Sequence, residues 1–509
     1  MTNNSNPDKH KTNSTRKSSH TKHKKQCVKT LLMSSMMLML VLASTAPILI
    51  NYHKKLKKKQ RLSEIALERV ARHRVSWSTE RKFHTDKLFF RLFRMKPRTF
   101  NKLCVLIEKA VGKQTFKSEQ YLNWLLYGIG AQTKQGVLYR NSKKYSGDYV
   151  SGEWKVAMTL RYLAGAKYLD LYLWTNIAPD YCKAIVNNVI DNWICNNEVL
   201  NINFYDNVLT NNPVRERIKK EFGSKTGGVI DGCIGVVDGW LVKIFSPTSK
   251  EVPNPGSYYS RKNVYGLNVQ VIVDKNKTIL WRHIGEVGSS HDSQVFHDSR
   301  LGKLLQKERT YLQQTKQYII GDSAYALRNY LMCPYDNAYH QTPEDSFNYF
   351  LSSARIFVEC CFGEVDRRWG ILWGPIEGSL YRKKFIIDAC LRLHNYLVED
   401  RLLNEETNEL DEEEIELLDQ IRDEFEAENP FEQSSFVRLS DIETTTNCHT
   451  QYDEENETEL RHEGKLLRDK IRDNLWSKGL RRPDASYADI YIRDRHNRVI
   501  SVVDENVTV

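Results

Sequence analysis

The 10 cysteines of this 509-residue chain are scattered and form no C-x-x-C pair. Neither a disulfide framework nor a structural zinc module can therefore be read from it, and a reducing compartment is the expectation. No internal repeat is visible, which removes solenoids and propellers. Acids are nearly missing from the first 61 residues, where Asp8 stands against 14 Lys and Arg, and aromatics are missing from Glu399 to Leu418. What is there is ordinary for a globular protein: 40% hydrophobic and 27% charged residues. That is too apolar for disorder throughout and long enough for roughly two to four domains.

The formal net charge of +11 hides three regions of different sign. The leader, residues 1–61, sums to +13, and residues 62–398 hold 47 Lys and Arg against 32 acids, a net of +15. Residues 399–459 hold 23 acids and 3 Arg, a net of −20. A basic body between a basic leader and an acidic arm fits a polyanionic partner such as DNA. The arm, residues 401–460, reads as partly helical and then disordered.

Within the leader, residues 31–50 are uncharged and 15 of the 20 are apolar, long enough to cross a bilayer. Basic residues flank the run on both sides, so no orientation follows. The alternatives are a membrane span and an apolar segment that never meets a lipid. The basic cluster Lys54 to Arg61 serves equally as a nuclear address or a nucleic-acid contact. The nucleus is the expected location, with membrane anchoring through 31–50 as the alternative.

Residues 80–200 carry helical periodicity. Leu88, Phe89, Leu92 and Phe93 repeat at helix spacing, as do Phe100, Leu103, Cys104 and Ile107. Val156 to Leu163 and Lys167 to Trp174 are amphipathic; Asn176 to Pro179 breaks the pattern, and Tyr181, Ile185, Val186 and Ile190 begin a new stripe. Helix, break, helix is what a helix-turn-helix requires, although a small bundle without a ligand has the same pattern.

Past Gly227 the texture turns to strands. Cys233 to Ile244 is apolar on both faces, as a central strand covered on both sides should be. Val264 to Asp274 and Thr278 to Ile284 read as an antiparallel pair, and Tyr318 to Ile320 as a short strand ending in Gly321-Asp322. Four acids in this stretch need an explanation. Asp238 lies within the most apolar strand, where an unpaired charge is strongly unfavourable. Asp322 sits at a strand end, where ligands collect in sheets covered by helices; otherwise it closes a turn. Asp292 precedes an apolar helical pattern and could simply cap it. Glu359 lies on a helix expected over Phe350 to Trp369, opposite its apolar seam and one turn after Arg355, where a solvated ion pair is the plain alternative.

A resemblance unites the four. The runs IGVVDGWLVKI, YSRKNVYGLNVQVIVD, GSSHDSQVF, IIGDSAYALRNYLMCPY, ARIFVECCFGEVDRRWGIL and CLRLHNYLVED resemble, in order, the DDE endonuclease domain of the Harbinger (PIF) transposases and their domesticated relatives. The match covers residues 227–400. Upstream, FRMKPRTFNKLC and LRYLAGAKYLDLYLWTNIAPDYCKAIVNNV are similar to that family's helical entry and helix-turn-helix-like regions, and GKLLRDKIRDNLW, within 461–509, to its tail element. Two positions depart from the pattern: Trp240 stands where a small polar residue is usual, and Glu286-Val287-Gly288 where a Trp-Pro-Gly-type run is usual.

The resemblance implies an α/β fold, an RNase H-like mixed sheet flanked by helices and preceded by an all-α region. It implies a catalytic triad of Asp238, Asp322 and Glu359, with Asp292 as a fourth metal-site carboxylate. It further implies Mg²⁺ or Mn²⁺, hard ions that favour carboxylate oxygens, and cleavage of DNA phosphodiesters by a metal-dependent endonuclease or transposase that can also join strands. A Myb-like partner for end recognition is common in the family. Arg261, Lys262, Arg355, Arg367 and Arg368 are candidates for phosphate contact. The competing expectation is a domesticated, catalytically silent DNA-binding or scaffold protein, tethered to a membrane if 31–50 spans one.

Overall fold

The computed structural model describes residues 76–112, 150–404, 412–429, 454–483, 491–493 and 499–502, together with Lys29 and Met33. The apolar run 31–50, apart from Met33, and the basic cluster 54–61 lie outside the described residues, as does the acidic stretch 430–453. Among the described residues no helix is long and apolar enough to cross a membrane.

The helical half begins with α1 (Trp77–Arg81), α2 (Asp86–Phe93) and α3 (Pro97–Val111), followed by α4 (Gly152–Leu163), α5 (Tyr168–Thr175), α6 (Pro179–Asn188) and α7 (Asn212–Gly223). Its core is aromatic: Trp77 and Trp154 meet edge to face at 5.3 Å, and Phe89, Phe93 and Phe100 surround them. The expected helix–break–helix is α5–α6. Asn176 ends α5 in the left-handed conformation, and Pro179 occupies the first turn of α6, where its missing N–H costs nothing. Leu171, Cys182, Ile185 and Val186 are buried between them, whereas Pro179, Asp180 and Lys183 are exposed on α6. Lys183 is the single basic residue among the ten of α6, a sparse charge for a helix that would lie in a DNA groove.

The sheet has the order β3-β2-β1-β4-β5. β1 (Cys233–Lys243) is buried along its length apart from Lys243. β2 (Gly266–Val273) and β3 (Ile279–Val287) follow as an antiparallel meander, with Asp238 opposite Val271 and Gly239 opposite Gln270. On the other side of β1, β4 (Tyr318–Ile320) and β5 (Leu331–Met332) run parallel to it, Val236 opposite Ile320. Three antiparallel strands continued by a parallel pair form the RNase H-like mixed sheet. Its central strand is apolar throughout because helices cover both faces.

Helices α8 (Asp292–Asp298), α9 (Arg300–Lys307) and α10 (Arg309–Gln314) lie between β3 and β4. The long α11 (Pro343–Arg368) then crosses the opposite face. Thr342 caps it, Pro343 opens it, Glu344 and Asp345 occupy the first turn and Arg367 and Arg368 the last, each with the helix dipole. From Val358 to Arg368 every residue of α11 is buried, so it lacks the solvent-facing side expected from its seam. Trp240 is absorbed by this packing, its ring 5.5 Å from Phe362.

Helix α12 (Leu380–Leu403) closes the sheet's outer edge: the Asn395 side chain donates to the carbonyl of Ile279 at 2.7 Å and accepts from its N–H at 2.8 Å. His394 meets the carbonyl of Lys277 at 2.9 Å. The pair His394-Asn395 thus holds the β2–β3 hairpin.

Two further helices come from the part read as an acidic arm and tail. α13 (Glu412–Glu428) packs on α2 and on the end of α11, burying Leu417 and Leu418 against Phe90. Burial of two leucines contributes about 1.5–3 kcal/mol each. α14 (Glu454–Ser477) lies across the start of α11, with Arg472 on Glu344 at 2.9 Å and Arg468 stacked over Tyr335 at 3.8 Å. Beyond it, Arg482 pairs with Asp345 at 2.7 Å. A short ribbon, β6 (Tyr491–Arg493) and β7 (Val499–Val502), follows.

Candidate active site

Asp238 is 1% exposed, at the middle of the central strand. One carboxylate oxygen accepts the N–H of Gly239 at 2.8 Å, and the other meets the guanidinium of Arg355 at 3.1 Å. The same guanidinium nitrogen lies 3.7 Å from Glu359, one turn further along α11 and 8% exposed. Asp322, at the end of β4, accepts the N–H of Ala324 at 2.9 Å and acts electrostatically on Arg355. Register explains the meeting: Val236 pairs with Ile320, so the residues two beyond each, Asp238 and Asp322, come out side by side. Burial opposes the charge of Arg355, but Asp238, Asp322 and Glu359 outweigh it and raise its pKa above the ordinary arginine value.

Asp292 approaches from the other side of the pleat. Gly239 points to the sheet face opposite that of Asp238 and Trp240, and a Cβ built on it would stand 2.7 Å from both Asp292 carboxylate oxygens. Glycine follows Asp238 because a carboxylate occupies the space of a side chain. Asn268 and Gln270, alternate residues of β2, donate to Asp292 at 2.8 and 3.2 Å. Burial, with Asp238 and Asp322 adding to it against those amides, pushes Asp292 up to about 7. Its neighbour His291 accepts from Arg261 at 2.8 Å, since a guanidinium only donates.

The sequence reading missed three side chains. Asn268 and Gln270 were legible as polar residues two apart in an apolar strand, a pattern that places both on one buried face with an obligation to find partners. Tyr325 had no such signal. It is 4% exposed, acted on by Asp292, Asp238 and Asp322, and its hydroxyl has no partner among the described residues.

The candidate DNA contacts are not equivalent. Arg261 is exposed beside His291, and Lys262 is half-buried nearby. Arg355 turns into the acids. Arg367 and Arg368 are corrected: both are buried, Arg367 on Asp419 at 3.2 Å and Arg368 on Glu414 at 3.5 Å. Their partners come from α13, so neither faces a phosphate.

A divalent ion fits this donor set in chemistry. Asp238, Asp322 and Glu359 bring carboxyl groups around the guanidinium of Arg355, and carboxylate oxygens are what Mg²⁺ and Mn²⁺ prefer. In this conformation no three acid, His or Cys side chains among the described residues draw together as an ion would require. A guanidinium lies against two of the donors instead. A cavity of about 1340 Å³ elsewhere, lined by Lys96, Lys102 and Glu414, contains none of the four acids.

An RNase H-like sheet with one buried acid in its central strand, a second just past the neighbouring strand and a third on the crossing helix defines a nuclease-type domain. The chain matches, over residues 237–395, the family described as DDE superfamily endonuclease. It is similar to HARBI1 of Xenopus laevis, whose name places it with the nucleases, at 26% identity over 192 residues, 36% of this chain and 51% of that protein. Protein ALP1-like of Arabidopsis thaliana is 27% identical over 209 residues, 38% and 49% of the two chains. HARBI1 of Homo sapiens is 28% identical over 188 residues, 36% and 50%. The chain thus spans about half the length of the curated relatives it matches. No solved structure matches it.

Proposed function

We propose that the chain is a metal-dependent DNA endonuclease of the transposase type, cleaving phosphodiester bonds at Asp238, Asp322 and Glu359. The observation that carries this is convergence: three buried carboxylates, from two neighbouring strands and the crossing helix, gather around the guanidinium of Arg355. Burying acids together is costly unless cations or protons relieve them. Asp238, Asp322 and Glu359 would hold the ion, which when bound activates water and stabilises the leaving oxygen. Asp292, clamped by Asn268 and Gln270, braces the strand at Gly239 behind Asp238. Arg261, exposed on the rim, and Lys262 beside it serve the DNA backbone. Joining of strands at the same site, a Myb-like partner and a nuclear location belong to this reading; anchoring through 31–50 is its alternative.

The test is cleavage of duplex DNA by the full chain in Mn²⁺. Asp238→Asn and Glu359→Gln should each lower the rate by about 10³-fold or more, since either removes an electrostatic element of the transition state. Wild-type protein that binds DNA yet cuts none would establish the catalytically silent alternative.

A further inference from the structure

Arg355 occupies an unusual position for a residue whose plainest use is phosphate contact. It leaves α11 one turn before Glu359 and folds inward, placing one nitrogen within 3.1 Å of Asp238 and 3.7 Å of Glu359. Its Nε is buried and bonds to nothing among the described residues. Its side chain is 15% exposed where that of Asp238 is 1%, so the guanidinium is more open to solvent than the carboxylate it covers. Asp238 is thereby engaged at both oxygens, one by the Gly239 N–H and one by Arg355.

A guanidinium and a divalent cation that need the same oxygens compete. Buried carboxylates need counter-charge, and Arg355 supplies part of it to all three acids. A planar, permanently charged fork that is incompletely bonded is also the group best suited to leave for a phosphate, which it can grip through two parallel hydrogen bonds. We propose that Arg355 is a resident counter-ion that holds the carboxylate centre partly closed to metal, and that the DNA backbone draws it out, so that metal and DNA bind cooperatively. This inference rests on the nuclease reading above. By linkage, whatever factor DNA adds to metal affinity, metal adds to DNA affinity.

The experiment measures Mn²⁺ binding to the full chain by electron paramagnetic resonance of the free ion, with and without a short duplex whose linkages are phosphorothioate and resist cleavage. Wild-type protein should bind Mn²⁺ about tenfold more tightly with the duplex than without it. Arg355→Gln should bind Mn²⁺ about tenfold more tightly than wild type in the absence of DNA, and the duplex should add little. Arg355→Lys, which keeps the charge, should stay close to wild type without DNA. An Arg355→Gln protein that binds Mn²⁺ no better than wild type overturns the proposal, as does wild-type binding unmoved by the duplex. Should Arg355→Gln not fold, the wild-type dependence on duplex decides alone. Wild-type protein that takes up no Mn²⁺ in either condition defeats the nuclease reading itself, and this inference with it.

Discussion

The two halves of helix α11 hold acids in opposite ways. Around its middle, Asp238, Asp322 and Glu359 gather about the guanidinium of Arg355. At its end, Glu364 lies between Lys277 at 2.7 Å and Arg401 at 2.9 Å. Asp366 faces Arg422 with both fully buried, Arg422 also reaches Glu426, and Arg367 and Arg368 take Asp419 and Glu414. There each of the five acids has a basic partner, and Glu414 has two, Lys96 as well as Arg368. Burial alone would raise Glu364, but Lys277 and then Arg401 hold it well below the usual carboxylate range. The same residue types on one helix therefore do two jobs. A cluster in which each acid has a basic partner fastens α12 and α13 to the fold, whereas the one around Arg355 gathers carboxyl groups at the proposed metal site.

The sharpest break of this contrast is a pair of isosteric changes on α11. Glu364→Gln should destabilise the chain by about 3–5 kcal/mol, because two buried cations lose their anion. Glu359→Gln should leave stability unchanged or raise it, because it removes one of several neighbouring acidic groups while Asp238 still engages Arg355. Thermal unfolding of both variants without metal checks the difference, and equal losses would erase the distinction between the two regions.

His394, beside the cluster that holds Glu364, is lowered to about 4, mainly by burial. Because its folded pKa lies below the ordinary 6.5, the unfolded chain takes up the proton first as pH falls. Its contribution is complete above pH 6.5 and is lost down to about pH 4, a change on the order of 3 kcal/mol. Unfolding of wild type and His394→Gln between pH 7 and 4 should show a flatter profile for the variant. A smaller loss, about 1–3 kcal/mol, is expected for Gly239→Ala, whose methyl would meet the Asp292 carboxylate; a thermal melt reads it, and an unchanged midpoint would show that Asp292 yields easily. Smallest is Arg261→Ala on the rim: stability should hold within about 0.5 kcal/mol. The slope of log affinity for DNA against log salt should fall by about 0.9, measured by fluorescence anisotropy.

Much of the sheet was legible before its structure. A strand apolar on both faces, a hairpin with Asn268 and Gln270 alternating, and a proline at the start of α6 are local signals, and each element lies within a few residues of where its pattern put it. The end of α11 was not legible. Arg367 and Arg368 read as surface charges because their partners, Asp419 and Glu414, lie in a segment whose composition suggested a solvated arm. The packing of Leu417 and Leu418 on Phe90, together with these ion pairs, brings that segment home. For the same reason the polar side of Glu359 looked like solvent, and proved to be a second buried surface.

By itself the sequence determined which residue types are present and in what local order: four acids in their motifs, a basic body, a central strand without a solvent face. Tertiary structure alone decided which charges cancel. Coulomb energy depends on distance and burial, and strand register, helix crossing and the docking of α13 set both. Arg355 was brought to the acids and Arg367 and Arg368 were taken away from DNA by the same fold, through contacts between segments far apart in the chain.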